Sequence, residues 1–497
     1  MLLPVRHSFL VATLLTLFFI LAGPAWAGEK WGLCQTAHFT IVSGGTAEET
    51  RRLALNLEQF RYAYSVLGEQ TPSAPLPVVV MAFANAKTLT PFKPVYRGRP
   101  ANVDGFFLRA LDENILALRL NAREEVLTQI GYHEYVHVLT QDHAAEWPVW
   151  LQEGLANTYA TFSAKRDTLT VGELDETQIR YLRYYNRLMS LERLFQITHQ
   201  SPEYNEKTKQ NLFYAQATLL THYLKFGPDK RRQTQFEGFL RNLKKRQNPF
   251  DAFADAFGDV EDVERELFAY VHSPMYSVTK IRCDPAAGMD RQQAFRWLSE
   301  AESRFYLGDL ALRTEHLRAA RNYFCESARL DPESPRPDEG LGFLAMRHED
   351  NLEAMLHFQK AIDHKTPNFL VYYLSASLDF DRLPETPPGT SGLVNDWSRI
   401  EGKLLESIRL FPAHAASHHL LGRGLMRAHD AVSAERAFQA ALQREPENTA
   451  FLLSCARCQM AQNKTEAAEK TLERILRGQD SVERRYAVSL LGTLKSN

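Results

Sequence analysis

A basic excess is missing from this chain: 58 Lys and Arg stand against 60 Asp and Glu, a formal net charge of −2 over 497 residues. No long basic run offsets that balance, so neither nucleic acid nor an anionic membrane surface is indicated as a partner. No glycine-rich phosphate loop and no G-x-S-x-G nucleophile pattern occurs, which removes two common signatures of hydrolases. After the N-terminal segment, no apolar run approaches the ~20 residues a spanning helix needs. Cysteine is scarce, with five in all. In an exported chain an odd number leaves at least one unpaired or intermolecular. A Cys34–Cys283 bridge would tie together the ends of the first expected domain. Cys455 and Cys458 form C-x-x-C inside a helical pattern with no second such pair, and read as helix packing rather than a zinc site.

What is present at the N-terminus reads as a targeting segment. Arg6 supplies the positive region, Ser8 to Leu21 is almost wholly apolar, and Pro24 breaks the helix. Ala25-Trp26-Ala27 has the small-x-small pattern read by a signal peptidase, so residues 1–27 are the expected signal peptide. A membrane anchor is the competing reading, against which the shortness of the apolar stretch argues. No cysteine stands at the cleavage point to take a lipid. The expected location is therefore exported, periplasmic or extracellular, with no stable membrane span after cleavage.

Hydrophobic residues at 44% and charged residues at 24% suit a globular chain long enough for two or three domains. His38 to Val42 alternates as a strand, Ala47 to Leu67 has helical spacing, and Pro77 to Phe83 is a β-rich run. Gly105 to Leu108 and Ile115 to Leu118 flank Asp112-Glu113-Asn114 as a hairpin. Helices dominate from Glu124 to about Tyr270. Strands followed by helices suggest an α+β domain over residues 28–280. Pro274 and the Cys283 to Gly288 stretch read as a linker.

Residues 290–497 repeat with a period of 34. Gly308, Gly342 and Gly422 each follow a leucine. Twelve residues after each comes Ala320, Ala354 or Ala434, and Ala361 and Ala441 follow seven further on. Pro412 and Pro446 are also 34 apart. Small residues where paired helices touch, with prolines between pairs, resemble tetratricopeptide repeats. Three repeats are clear, with partial ones at about 400–414 and 449–482, and Pro384 to Gly392 reads as an insertion loop.

His133-Glu134-Tyr135-Val136-His137 spells H-E-x-x-H. Residues four apart share a helix face, so two imidazoles there can reach one metal ion. Glu153 follows in Trp150-Leu151-Gln152-Glu153-Gly154-Leu155-Ala156, at the first turn of a second expected helix after Trp147-Pro148. His133, His137 and Glu153 are thus the expected Zn²⁺ ligands, leaving a fourth position open for water. Glu134 lies about 100° round the helix from His133, placed to act as general base on a zinc-activated water and then as acid toward the leaving amine. Asn157, one turn after Glu153, is placed to accept the other ring N–H of a ligand histidine. The bland alternative, an exposed polar helix face, leaves the Glu153 segment unexplained. His143, His199, His316, His418 and His419 show no ligand spacing with acidic partners.

Trp150 to Tyr159 resembles the segment that follows H-E-x-x-H in gluzincin metallopeptidases, and its short spacing is similar to the bacterial peptidase MA-like family. Asn211 to Gln216 and the apolar helix after it resemble that family's downstream helix. The resemblance implies a thermolysin-like fold whose edge strand, near Gly105-Phe106-Phe107, holds extended substrate. It also implies an oxyanion stabiliser, for which Tyr214 stands first, with His222 and Tyr204 behind it. No G-x-M-E-N-type motif precedes His133, so aminopeptidase activity is not supported.

The sequence therefore leads to an α+β thermolysin-like metallopeptidase domain followed by an all-α tetratricopeptide-like repeat domain. The expected function is an exported zinc metallopeptidase acting on a peptide or protein substrate, with repeats that bind substrate or a protein partner. The alternative is an envelope scaffold or adaptor with a non-catalytic zinc domain.

Overall fold

The structure, a computed structural model, describes residues 30–67, 76–96, 99–101, 103–120, 124–140, 143, 146–165, 167–205, 207–245, 248–282, 294–383, 391–476 and 482–496. The expected signal peptide, Cys283 and most of the expected insertion loop lie outside these residues.

The chain opens with β1 (Gly32–Gln35), β2 (Phe39–Ser43), α1 (Ala47–Val66), β3 (Val78–Phe83), α2 (Ala86–Leu89), the short pair β4 (Val95–Tyr96) and β5 (Arg99–Pro100), and the hairpin β6 (Gly105–Arg109) and β7 (Asn114–Arg119). Then come α3 (Glu124–Thr140), α4 (Val149–Ala160), β8 (Ser163–Lys165), β9 (Thr168–Val171), α5 (Glu176–Tyr185), α6 (Leu191–Phe195) and α7 (Pro202–Asn205). Helices α8 (Lys207–Phe226), α9 (Lys230–Lys244), α10 (Pro249–Phe257) and α11 (Val260–Val271) precede β10 (Thr279–Arg282) and β11 (Phe295–Trp297).

Six strands form a mixed sheet in the order β11-β1-β2-β3-β7-β6, parallel only at β2–β3 and β3–β7. Every residue of central β3 is buried, because the sheet is covered on both faces and a doubly buried strand needs no polar alternation. Val78, Val80 and Ala82 face the core built on α1 and α3. Val79, Met81 and Phe83 face the opposite way, as the two-residue period of a strand requires.

The expected linker stretch Cys283 to Gly288 lies outside the described residues, and the described residues on either side of it form strands. Thr279–Arg282 pairs with β9, and Phe295–Trp297 adds a strand beside β1. The added strand covers backbone groups that β1 would otherwise expose at a sheet edge. The β8–β9 hairpin lies within the stretch in which helices dominate.

Beyond β11 the helices pair antiparallel: α12 (Glu300–Arg313) with α13 (Leu317–Leu330), α14 (Arg336–Arg347) with α15 (Asn351–Asp363), and α16 (Phe369–Asp381) with α17 (Ser391–Leu410). Then α18 (Ala415–Arg427) pairs with α19 (Ala431–Arg444), α20 (Thr449–Ala461) pairs with α21 (Thr465–Leu476), and α22 (Val482–Ser496) follows. The two stretches expected as partial repeats thus belong to complete helix pairs. The repeat glycines have a packing reason. A Cβ on Gly308, Gly342 or Gly422 would stand 2.8, 2.4 or 2.6 Å from the ring of Phe324, Phe358 or Phe438, sixteen residues later in each case. In the last pair the equivalent residues are Ala456 and Leu472, buried in one cluster. A larger first residue is matched there by a smaller second one, as close packing demands.

The first helix pairs cover the outer face of the sheet. Phe305, Leu310, Phe324 and Leu344 share a buried cluster with Val79, Met81, Phe83 and Ile115. At the rim, the β6–β7 turn enters the helix array. Asp112 accepts from Arg313 at 2.9 Å and from Asn368 at 2.8 Å, and His316 Nε2 lies 3.1 Å from the Lys93 carbonyl. Sheet and first repeats therefore share one core.

Candidate metal centre

Helix α3 is held by the residues between its polar positions. Tyr132 stacks on Phe60 with ring centroids 4.5 Å apart. Tyr135 packs against Phe39 and accepts from Arg61 at 2.8 Å. With Val136 buried beside them, these residues fix the helix rotation, leaving His133, Glu134 and His137 on the opposite side.

Helix α4 brings the third carboxylate. Its approach to α8 is close: a Cβ on Gly154 would stand 2.2 Å from Thr221 Oγ1 and 2.5 Å from the Ala217 carbonyl. Only glycine permits that crossing without displacement. Neighbouring Glu153 is the fifth residue of α4, at the end of its first turn, and it is 3% exposed.

The three side chains converge. Glu153 Oε2 is 3.4 Å from His133 Nε2, and Oε1 is 3.8 Å from His137 Nε2. The two histidine Nε2 atoms are 3.2 Å apart, and one donor atom from each of the three residues lies within 4.8 Å of the others. Asn157 Oδ1 sits 3.0 Å from His133 Nδ1. That contact makes Nδ1 the N–H donor and leaves Nε2 its lone pair for a metal. Tyr204 Oη donates to Glu153 Oε1 at 3.2 Å.

The electrostatics follow from burial. Burial raises the Glu153 carboxyl, but its hydrogen bond with His133, the imidazole charges and Tyr204 outweigh this and hold it below the ordinary value. Burial pushes His137 down to about 4, against the pull of Glu153. Burial also lowers His133, but its hydrogen bond to Glu153 and the charges of Glu153 and Glu134 raise it overall. Burial raises Glu134, with Glu153 adding to the shift, while His133 and the Phe107 backbone N–H of β6 oppose it. An ionised Glu153 and a neutral His137 are the forms that ligate a cation. Burial favours the protonated form of Glu134, which suits it to receive a proton and return it. Two imidazole nitrogens and a carboxylate oxygen on two helices fit a zinc ion with an open position.

A cleft of about 500 Å³ runs from His133 and Glu134 past Asn157 and Thr161 to Gln178 of α5 and Tyr214 of α8. Burial and Glu153 keep the Tyr214 phenol protonated far above its ordinary range. Tyr204 is raised by the same two causes, but its hydroxyl is turned onto Glu153. His222 lies elsewhere, buried in the core between the Gly172 carbonyl at 2.7 Å and Tyr270 at 3.1 Å. His199, read from sequence as without ligand spacing, packs on Tyr204 with ring centroids 5.0 Å apart. Its place beside the centre depends on the α6–α7 turn, for which no motif exists. Cys455 and Cys458 are both buried on α20, and Cys455 packs with Phe438.

The family described as tetratricopeptide repeat matches residues 425–491. The family described as protein of unknown function (DUF1570) matches residues 127–251, a span that contains His133, Glu134, His137, Glu153 and Tyr214. No curated protein matches the chain. Solved structures similar to it include MamA 41-end from Desulfovibrio magneticus RS-1, at 18% identity and TM-score 0.30 over 37% of this chain and 99% of that one. YrrB, titled a TPR protein with an unusual peptide-binding site, is similar at 16% identity and TM-score 0.33 over 38% and 92%. PilW, titled a widely conserved type IV pilus biogenesis factor, is similar at 15% identity and TM-score 0.29 over 52% and 99%. The C-terminal helix pairs are tetratricopeptide-like repeats.

Proposed function

We propose that this protein is an exported zinc-dependent peptidase of gluzincin type, similar to the peptidase MA-like family, whose repeats bind substrate or a protein partner. The observation that carries the reading is the convergence of His133, His137 and Glu153 within 4.8 Å, with Glu134 beside them at the wall of a cleft. Those three residues would hold the ion. Zinc, when bound there, supplies the Lewis acidity that makes water a nucleophile near neutral pH. Glu134 takes the proton of the attacking water and passes it to the leaving amine. Asn157 keeps His133 in the ligating tautomer, and Tyr204 orients Glu153. The Tyr214 phenol, held protonated, donates toward the carbonyl oxygen as charge develops there. The edge strand β6 offers its backbone to an extended peptide, as in the thermolysin-like arrangement.

An envelope scaffold or adaptor with a structural metal domain is the second reading, favoured by the extent of the paired helices. One experiment separates the two: metal content and a peptide-library digest of wild type and Glu134→Gln. The peptidase reading expects zinc in both proteins and cleavage only by wild type. Cleavage by Glu134→Gln removes the assigned mechanism. Zinc in both without any cleavage supports the scaffold, and absence of zinc from both wild type and a His133→Ala control removes the site.

A further inference from the structure

Helix α5 presents one stripe to the cleft of the metal centre and carries it outward. Ile179 and Leu182 anchor one side of the helix in the core. Gln178, Tyr181 and Tyr185, at i, i+3 and i+7, share the adjoining side. Gln178 and Tyr181 line the cleft beside His133 and Glu134. Both ends of the helix are held in place. Asp175 accepts from the Thr177 and Gln178 backbone N–H groups at 2.6 and 3.2 Å. Arg183 donates to the carbonyls of Val271 and Ser273 at 2.9 and 2.8 Å.

Outside the cleft the stripe is aromatic and open. Tyr185 lies against Tyr181 with ring centroids 4.7 Å apart, and Tyr184 lies against Tyr185 at 5.2 Å. Tyr184 is 83% and Tyr185 58% exposed. Adjoining aromatic rings left in water mark a recognition surface. Inside the cleft the wall is polar but nearly neutral. Apart from His133 and Glu134, Asp175 is the one charged side chain among its described residues. The side-chain amides of Gln129, Gln178 and Asn211 and the hydroxyls of Thr177 and Tyr181 have no hydrogen-bond partner among the described residues.

Amides and hydroxyls both donate and accept. An apolar substrate side chain would strip these groups of water and return no hydrogen bond. An acidic one would find no cation in the wall, and a basic one only Asp175, which already holds two backbone N–H groups. A pyranose ring matches both parts of the stripe: its C–H face packs on an aromatic ring, and its hydroxyl rim donates and accepts. We infer that the substrate class of this cleft is a glycosylated peptide, with the sugar seated on Tyr181 and Tyr185 and its hydroxyls turned to Gln178 and the neighbouring amides. The scissile bond of that substrate rests on the peptidase reading; the sugar seat on α5 does not.

The test is calorimetric titration of the full chain carrying Glu134→Gln, so that the probe is not consumed. The probe is a decapeptide of alanine and glycine with one central threonine. It is used unmodified or with a single O-linked glucose, galactose, N-acetylglucosamine or N-acetylgalactosamine. At least one glycosylated form is expected to bind about tenfold tighter than the unmodified peptide. Tyr181→Ala with Tyr185→Ala is expected to remove that advantage, and phenylalanine at both positions to keep most of it, because the ring is retained. Tyr185 is largely exposed, so Tyr185→Ala alone should leave the melting curve unchanged and still lose part of the advantage. Equal affinity for the unmodified peptide and all four glycopeptides overturns the proposal. So does tighter binding of a twin with central glutamine or lysine, or a sugar preference that survives the loss of both rings. Digestion by the wild type separates this proposal from the peptidase reading. Glycopeptide bound selectively but left uncut removes the peptidase and keeps the sugar seat. Cutting of modified and unmodified peptides at one rate keeps the peptidase and removes the sugar seat.

Discussion

Arg313 donates from Nη2 to Asp112 Oδ1 at 2.9 Å, an ion pair between residues 201 positions apart. Asp112 is 6% and Arg313 14% exposed at the side chain, so neither charge has water to fall back on. Arg313→Met leaves Asp112 buried beside Asp309 and Glu113 without their cation. The expected cost is about 3 kcal/mol, read by chemical denaturation. Asp112→Asn in the same chain should recover part of that loss. Strict additivity of the two changes would show that the pair is not coupled.

The shared core sets a limit on dissection. A fragment ending near residue 282 exposes Val79, Met81, Phe83 and Ile115, which the first repeats cover in the full chain. An apolar face of that extent drives association. The fragment is expected to aggregate or to elute as oligomers in size-exclusion chromatography, whereas one ending after α15 should stay monomeric. A monomeric, cooperatively melting short fragment would contradict this account.

Stability should depend on pH through Glu339. Burial pushes its carboxyl up to about 7, against a hydrogen bond from Thr366 and the Arg336 charge. The unfolded chain ionises this group near its ordinary value, so between that value and about 7 the unfolded state loses its proton first. Stability from this group is present at low pH and is lost as pH rises through 7, by up to about 3 kcal/mol. Glu339→Gln is expected to flatten the stability difference between pH 5 and pH 8 by most of that amount. An unchanged pH profile in urea titrations would remove the assignment.

Asn157 gives a binding readout that does not require turnover. Asn157→Ala frees the His133 ring and its tautomer, and loss of such a partner costs about tenfold or more in metal affinity. Competition with a chelator dye measures it. Equal affinity in wild type and variant would show that the 3.0 Å contact does not orient the ligand.

The glycine–phenylalanine contacts of the repeats predict a compensated pair. Gly342→Ala drives a methyl into Phe358, at a cost of about 1–3 kcal/mol. Adding Phe358→Leu reproduces the Ala456–Leu472 pairing of the last repeat and should return part of that stability. A double-mutant cycle shows the coupling directly.

Much of the local structure was legible because it repeats on the backbone's own periods. The two-residue alternation of β2, the hairpin around Asp112 and the 34-residue spacing of Gly308 and Gly342 need no tertiary information. Helix pairs with degenerate spacing were less visible. Glu315, Glu349, His429 and Asn463 all take the left-handed conformation at the turn within their pair, with φ between 58 and 63°. Four positions with three residue types carry no common signature.

The candidate site divides the same way. Sequence alone determined that His133 and His137 share a face, with Glu134 a fraction of a turn away, because helical geometry converts spacing into direction. It also determined a second helix carrying Glu153. Only the tertiary structure decided that Glu153 meets those imidazoles, since that depends on how closely α4 crosses α8 at Gly154. Tertiary packing also turned Tyr204 onto Glu153, buried His222 in the core, and packed the first repeat helices against the sheet. These are contacts between residues tens to hundreds of positions apart, set by which apolar faces bury one another, and local spacing carries no record of them.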